Sequence, residues 1–490
     1  MDNKTMMQYF EWYLPEDKLF WRRCCVQAAA LKKAGINMVW LPPAYKGATG
    51  AKSVGYDVYD TYDLGEFPQK GSVATKYGHR GDYLRAVRRL RAQRIEVLAD
   101  VVLNHMMGAD ATETVTAVED CPDNREKQLG GPRQITAWTR FNFPGRRGKY
   151  SRFRWKAANF SGIDRDESTG QDGIFRFAGK HWNQETDAEH GNFDYLMGAD
   201  LDTDCPETVA AVTDWGKWYL DTVQPDGLRL DAVKHISFEF YREWLEAMRE
   251  HTGRRFFAVG EYWSGDLKIL THYLDVAQNS LSLFDVPLHY NFLKAATSNG
   301  EYDMSRLFEN TLVATRPECA VTFVDNHDTQ PGQSLESFIP AWFKPIAYAL
   351  ILLRSTGIPC AFYGDYYGIP HDNIIPTPEL KQLLKLRERF AYGEQTDYFD
   401  DPSVVGFTRL GEEEHPDSGM AVLATDSAAG EKRMFVGKRF AGSVFYDALA
   451  SSERTVTIDS EGLGTFCVDS SSVAVWVTKQ AYQYLCAMVK

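Results

Sequence analysis

The chain has 490 residues, 44% of them apolar and 25% charged, the proportions of an ordinary soluble globular protein large enough for more than one domain. Its 54 basic against 67 acidic side chains leave a net charge of −13, which disfavours nucleic acid and anionic membranes as partners. A neutral or cationic partner fits better.

The opening stretch MDNKTMMQYFEWYLPEDK places acidic residues where a basic n-region would stand and has no unbroken apolar core, so no secretory signal is expected. Within it MMQYFEWY (6–13) reads as a strand, with Glu11 as an inward polar residue at the barrel floor and without a role. A helical segment ending at Lys33-Ala34-Gly35 leads to the compact apolar strand MVWLPP (38–43), stopped by its prolines. Gly81-Asp82 opens the helix YLRAVRRLRAQ, and IEVLADVVLNH (95–105) returns to strand. Strand, helix and strand in this rhythm indicate parallel βαβ units.

The rhythm breaks from about 106 to 205, where Gly, Asp, Asn, Arg and aromatics dominate without sustained helical periodicity. A structureless loop of that length is improbable, so an irregular, β-rich inserted domain is expected. The alternation resumes with a helix through TDWGKWYLDTV, the strand at 227, FFAVGEYW (256–263), LSLFDVPL (281–288), AVTFVDNHD (320–328) and IPCAFYGD (358–365). AWFKPIAYALILLRSTG and TPELKQLLKLRERFAYG are the clearest helices between and after them. With the three early strands the total is eight, the number that closes a (β/α)8 barrel. From about 394, short alternating runs such as VVGFTRL, MAVLAT and VAVWV predict a small antiparallel β-domain. The expected division is therefore 1–105 with 206–393 as barrel, 106–205 as inserted domain and 394–490 as a C-terminal β-sandwich.

The longest apolar run, 345–353, is far too short to cross a bilayer. Eight cysteines are scattered without a CxxC pair, as expected of reduced thiols in a cytoplasmic protein; Cys24 and Cys25 read as packing residues.

Polar residues gather at the carboxyl ends of the expected strands, where barrel enzymes keep their chemistry. Asn104 and His105 follow the third strand, Asp231 the fourth, Glu261 the fifth, and His327 and Asp328 the seventh. In GLRLDAVKH (227–235), Arg229 and Asp231 share one face and the leucines the other; buried charges there need partners. Asp231 and Glu261 on neighbouring strands suit retaining glycoside hydrolysis, which takes two carboxylates about 5 to 5.5 Å apart. Asp231 would attack the anomeric carbon. Glu261, among Val259, Tyr262 and Trp263, should titrate high and serve as the acid, while Asp328, His105 and His327 hold sugar hydroxyls.

The stretches GYDVYDTYDLGEF, DVVLNH, GLRLDAVKH, GEYW and FVDNHD, in that order, resemble the hallmark regions of the α-amylase family of glycoside hydrolases. QYFEWYLPE, NMVWLPPAYKG and KGSVATKYG resemble its bacterial liquefying branch, most of all the intracellular members. The resemblance implies a (β/α)8 barrel with an inserted domain B after strand three and a C-terminal β-sandwich. It also implies Asp231 as nucleophile, Glu261 as general acid/base and Asp328 as transition-state stabiliser. Arg229 would orient Asp231, with Asp100 as its ion-pair partner, and Tyr56, His105 and His327 would surround the sugar at the cleavage point. Lys234 and His235 match a pair that binds the leaving-group side; taken alone, Lys234 would be a solvated charge and Tyr56 a core tyrosine.

A structural calcium site is implied at Asn104, Asp194, Asp200 and the backbone carbonyl of His235, against the plainer reading that the aspartates serve turns. Relatives of the liquefying branch carry a second metal cluster built from extra aspartates. Ser161 and Asn183 stand at the corresponding positions here, so that second cluster is not expected. The expected protein is a monomeric, cytoplasmic endo-α-1,4-glucan hydrolase acting on starch, glycogen or maltodextrins. A transglycosylase of the same family, or an inactive glycan-binding protein on the same fold, are the rival readings.

Overall fold

The computed structural model describes residues 3–489; residues 1, 2 and 490, the outer ends of the expected domain division, lie outside it. Eight parallel strands close into a barrel: β1 Met6–Gln8, β2 Met38–Leu41, β3 Glu96–Val101, β4 Gly227–Leu230, β5 Phe257–Gly260, β6 Ser282–Phe284, β7 Ala320–Phe323 and β8 Ile358–Phe362. Each strand pairs with the next, and β1 pairs with both β2 and β8, so no edge is left. β2, β4 and β7 are buried along their whole length; β2 accordingly reads as a continuous apolar run, whereas β4 alternates leucine with a buried Arg229. The helices Phe20–Lys33, Arg80–Ala92, Pro206–Val223, Phe240–Thr252 and Leu380–Phe390 bury one face each, whereas Lys344–Leu353 is buried all round between the barrel and the C-terminal sheet.

Two local expectations change. The run LSLFDVPL is a strand only to Phe284. Asp285 then caps the helix Val286–Thr297, accepting from Leu288 N at 3.2 Å, with Pro287 in the first turn. Aspartate followed by proline at a helix start is a capping signature that overrode the apolar run. Glu11 is not on the barrel floor. It lies beyond the carboxyl end of β1, is buried, and accepts from Tyr13 N at 2.6 Å and from Gln330 Nε2 at 3.2 Å. It thereby ties the loop after β1 to the loop after β7.

Between β3 and β4 the chain builds a seven-stranded sheet that starts at His105–Met106 and ends at Ala199–Leu201. The long strand Ala111–Cys121 pairs antiparallel with both Arg133–Arg140 and Gln171–Phe177. This segment is more regular than its composition suggests, because its strands are half exposed and carry Thr, Glu and Arg outward. Buried Arg146 joins it to the barrel through Asp60 at 2.9 Å.

The C-terminal region holds a six-stranded sheet containing Val404–Arg409, Met420–Thr425 and Ser472–Thr478, and a separate two-stranded antiparallel sheet of Gly430–Phe435 with Leu463–Val468. Leu423, Met434, Phe445, Phe466 and Trp476 form its core. A final helix, Lys479–Val489, was not legible in the sequence. It is fixed from outside, by Tyr482 stacked on Tyr446 at 5.0 Å and Tyr484 against Phe390 at 5.7 Å. Among the described residues no helix is long and apolar enough to cross a membrane, and the eight cysteines are free thiols.

Candidate active site

Arg229 is the centre of the site. It lies directly opposite Asp100 in the pairing of β4 with β3, so both side chains point into the barrel. Its guanidinium, 1% exposed, reaches Asp100 Oδ1 at 3.0 Å, Asp231 Oδ1 at 2.5 Å and Glu261 Oε2 at 2.8 Å. One buried cation thus serves three carboxylates, an arrangement that the planar fork of arginine allows and a lysine would not. Asp100 is held further by Trp40 Nε1 at 2.8 Å and Tyr56 OH at 3.0 Å, consistent with a structural partner rather than a reacting group.

Asp231 sits one residue past β4, and its amide still bonds to Val101 O at 2.9 Å. The next residue, Ala232, adopts a left-handed conformation (φ 50°) that turns the chain into the short helix Val233–His235. A non-glycine residue there is strained by about 1–3 kcal/mol, as often seen where backbone geometry serves a site. The turn also lets Ala232 N donate to Glu261 Oε2 at 3.3 Å.

Burial shapes the electrostatics. It pushes the Glu261 carboxyl up to about 8, opposed by Arg229 and reinforced by Asp231 and Asp328. Asp328 is pushed up to about 7 and Asp100 to about 6 by the same burial, each opposed by Arg229. The expectation that Glu261 titrates high agrees with this. Burial also holds His105 and His327 below their ordinary range, so both rings are neutral.

The tautomers follow from the partners. Gln8 Nε2 donates to His327 Nδ1 at 3.0 Å, leaving the proton on Nε2, 3.2 Å from Asp328 Oδ2. His105 Nε2 donates to Tyr56 O at 2.8 Å, so that proton anchors the Tyr56 loop. Tyr56 stacks on His327 at 5.0 Å, and Trp12 lies parallel to Tyr56 at 6.2 Å. Tyr56 and Trp12 line a cleft of about 1020 Å³ whose walls also include His105, Asp231, Glu261 and Asp328, with His327 buried behind Tyr56.

On the other flank Lys234 pairs with Glu189 at 2.8 Å and donates to Trp263 O at 3.2 Å, so it is a held cation rather than a freely solvated one. His235 Nδ1 bonds to Phe193 O at 2.7 Å. Trp263 Nε1 donates to Tyr290 OH at 2.9 Å, and both rings face the cleft. From the sequence, Trp12, Glu189 and Tyr290 have no place in the site and Trp263 only that of an apolar neighbour of Glu261. Behind the site, buried Lys344 bonds to Asp325 at 2.8 Å and also to Asp365. It fixes the loop that carries His327 and Asp328.

Of the residues expected to hold a cation, Asn104, Asp194 and Asp200 lie near one another at the seam between barrel and inserted sheet. Asp200 lies opposite His105 in the pairing of the two strands, and Leu201 N bonds to Asn104 O at 2.9 Å. Asn104 Oδ1 and Asp200 Oδ2 are buried and without hydrogen-bond partners, and Asp194 stands close enough to Asp200 to raise its pKa. Hard oxygens of this kind are the donor type that calcium takes, although these are two of the roughly six to eight ligands it needs. Among the described residues no three His, Cys, Asp or Glu side chains converge as a metal site, so the amide oxygen of Asn104 and a backbone carbonyl would have to complete the set.

The expected absence of a second cluster has a local counterpart. Asn183 donates through Nδ2 to Asp194 Oδ1 and through its backbone to Asp194 Oδ2, both at 2.9 Å. Lys180 places its ammonium on Asp202 and on Ala158 O.

Comparison with known proteins agrees with this geometry. A family described as "Alpha amylase, catalytic domain" matches residues 28–398, and one described as "Alpha-amylase C-terminal" matches 421–477. An α-amylase of Geobacillus stearothermophilus is 52% identical across 98% of this chain and 87% of its own. A cytoplasmic α-amylase of Escherichia coli is 43% identical across 98% of this chain and 100% of its own. In fold, the crystal structure of an Anoxybacillus α-amylase aligns with a TM-score of 0.63 at 18% identity, covering 98% and 97% of the two chains. With a matching family domain over most of its length and relatives of this identity, the chain belongs to the α-amylase family of glycoside hydrolases.

Proposed function

We propose that the enzyme is an endo-acting, retaining α-amylase that cleaves internal α-1,4-glucosidic bonds of starch, glycogen and maltodextrins. Asp231 is the nucleophile, Glu261 the general acid and base, and Asp328 the carboxylate that holds the distorted sugar. The observation that carries this reading is Arg229, which grips Asp231 and Glu261 together at the cleft while burial keeps a proton on Glu261.

In the first step an Asp231 oxygen bonds to the anomeric carbon, the glycosidic C–O bond breaks, and the Glu261 proton moves to the departing oxygen. In the second, water gives a proton to the Glu261 carboxylate as its oxygen attacks the same carbon, and Asp231 leaves. Two inversions restore the α-anomer. Arg229 and Asp100 orient Asp231, Tyr56 supplies a stacking face for the sugar, and His105 and His327 contact the same ring. Lys234 and His235 hold the glucan beyond the scissile bond.

Calcium fits the orphaned oxygens at the domain seam and would be held by Asn104, Asp194, Asp200 and the His235 carbonyl. When bound it supplies electrostatic cross-linking and no reactive group. On this reading 1–105 and 206–393 form domain A, 106–205 domain B and 394–490 domain C. The enzyme works in the cytoplasm as a monomer; the likeness to a cytoplasmic relative along its whole length and the eight free thiols support that compartment. Cell fractionation and light scattering test the compartment and the oligomeric state.

A time course on maltoheptaose tests the reaction. Shorter products alone, released first as the α-anomer by NMR, are expected. Longer oligosaccharides at early times would replace hydrolysis by transglycosylation, and a first-formed β-anomer would overturn the double displacement.

A further inference from the structure

The loop joining the strands Arg133–Arg140 and Phe160–Asp166 is basic in an acidic protein. Of the fifteen residues from 142 to 156, six are Arg or Lys and none is Asp or Glu. Three are neutralised: Arg146 by Asp60, Lys149 by Glu66 and Lys156 by Glu207. Arg154 bonds only to the backbone and side-chain oxygens of Asn142, at 2.9 and 3.2 Å. Exposed Arg147 and Arg152 have neither a hydrogen-bonding nor an ion-pair partner for their side chains among the described residues. Three arginines therefore border one hollow without a carboxylate counter-charge, a concentration of positive charge that favours an anion.

The backbone beneath them is strained. Phe143, Arg147 and Tyr150 are held at φ 51°, 54° and 69°, and Gly148 at 76°. Left-handed non-glycine residues collect at ligand clamps, and turns of alternating hand aim amides outward as anion nests. Buried Arg146 pins the loop by donating to Lys149 O at 2.8 Å and to Ser151 O. The result is a hollow of about 310 Å³ lined by Arg146, Arg147, Arg152, Arg154, Phe143 and Phe153. None of these residues lines the catalytic cleft.

We propose that this hollow is a binding site for a phosphate monoester carried on a sugar. Guanidinium forks match phosphate oxygens in pairs, and a doubly charged phosphate answers several arginines better than a single carboxylate does. The part-buried Phe153 ring supplies a face for the sugar, while Phe143 is buried beneath Arg146. The ligand is either a hexose phosphate or a phosphorylated glucan.

Calorimetric titration of the whole enzyme at low salt tests this, with glucose 6-phosphate, inorganic phosphate, and maltodextrin with and without phosphate groups. Glucose 6-phosphate binds saturably at millimolar concentration or tighter, and the R147Q/R152Q double variant binds it about tenfold more weakly or worse. Both arginines are exposed, so the variant keeps the wild-type melting temperature; the single variant Arg152→Gln serves if it does not. Phosphorylated maltodextrin gaining over its unphosphorylated form more than glucose 6-phosphate gains over glucose assigns the site to phosphoglucan; equal gains assign it to the hexose phosphate. Absence of saturable binding by any phosphate compound, or equal binding by wild type and double variant, overturns the site. Equal affinity for inorganic phosphate and glucose 6-phosphate overturns the sugar component. The readout is binding, so it stands apart from the hydrolase mechanism.

Discussion

Two buried clusters of acidic side chains lie within one fold and handle their charge in opposite ways. Around Arg229, Asp100, Asp231 and Glu261 share a cation supplied by the chain itself. At the seam with the inserted sheet, Asp194 and Asp200 are equally buried, yet among the described residues no cation is ion-paired with them: Arg125 acts on both only through space, donors such as Asn183 answer them, and two oxygens of the set stay orphaned. A fixed internal cation makes the first cluster permanent and accurate, as catalysis requires. A cluster without one is completed only by something bound, and its stability becomes conditional on that ligand.

The largest effect that tests the first cluster is on turnover. Asp231→Asn should lower kcat on maltoheptaose by roughly 10⁴-fold with the fold intact by circular dichroism; near-wild-type kcat would remove Asp231 from the mechanism. Arg229→Gln strands three buried carboxylates and should cost about 3–5 kcal/mol of stability in addition to activity, read by denaturant titration. A loss confined to activity would mean that the guanidinium is not the keystone argued here.

The second cluster is tested by chelation. A strong chelator should lower the wild-type melting temperature, as removal of a ligand present at about a hundred times its Kd removes about 2.7 kcal/mol. In Asp200→Asn the same chelator should change little. An unchanged wild-type melting curve would leave the orphaned oxygens without a ligand and make the two clusters alike.

A smaller and sharper effect lies in the pH dependence. Glu261 rises from 4.5 to about 8 and Asp328 from 3.8 to about 7, so the folded state binds more protons than the unfolded chain across that window. Their contribution to stability is complete below the unfolded values and is lost as pH rises through the folded ones. The alkaline limb of kcat/KM should follow the Glu261 proton and fall near pH 8. Because the Asp328 charge helps to raise Glu261, Asp328→Asn should move that limb to lower pH in the residual activity. A limb that stays in place would show that burial alone sets it.

Much of this was legible before any coordinates. Alternation in GLRLDAVKH put Arg229 and Asp231 on one face, and eight apolar runs at βα spacing fixed the barrel and therefore which ends carry chemistry. The apolar neighbours of Glu261 foretold its raised pKa. What could not be read was of two kinds. Glu11 looked like floor because a short strand does not announce its end, and the carboxyl side of β1 is defined only by its pairing with Trp40 and Phe362. The helix Lys479–Val489 is set by contacts with Tyr446 and Phe390, which lie far away in sequence.

The sequence by itself determined the strand and helix periods, the acidic balance and the residue types available for catalysis, because these follow from local spacing and composition. Tertiary structure alone decided that one guanidinium serves three carboxylates from three strands. It also decided that Trp12, Trp263 and Tyr290 wall the cleft, and that side-chain oxygens of Asn104 and Asp200 are buried without a hydrogen-bond partner. Those outcomes depend on closure of the barrel and on the inserted sheet folding back onto it. Both bring together groups that are a hundred or so residues apart, which no local pattern can encode.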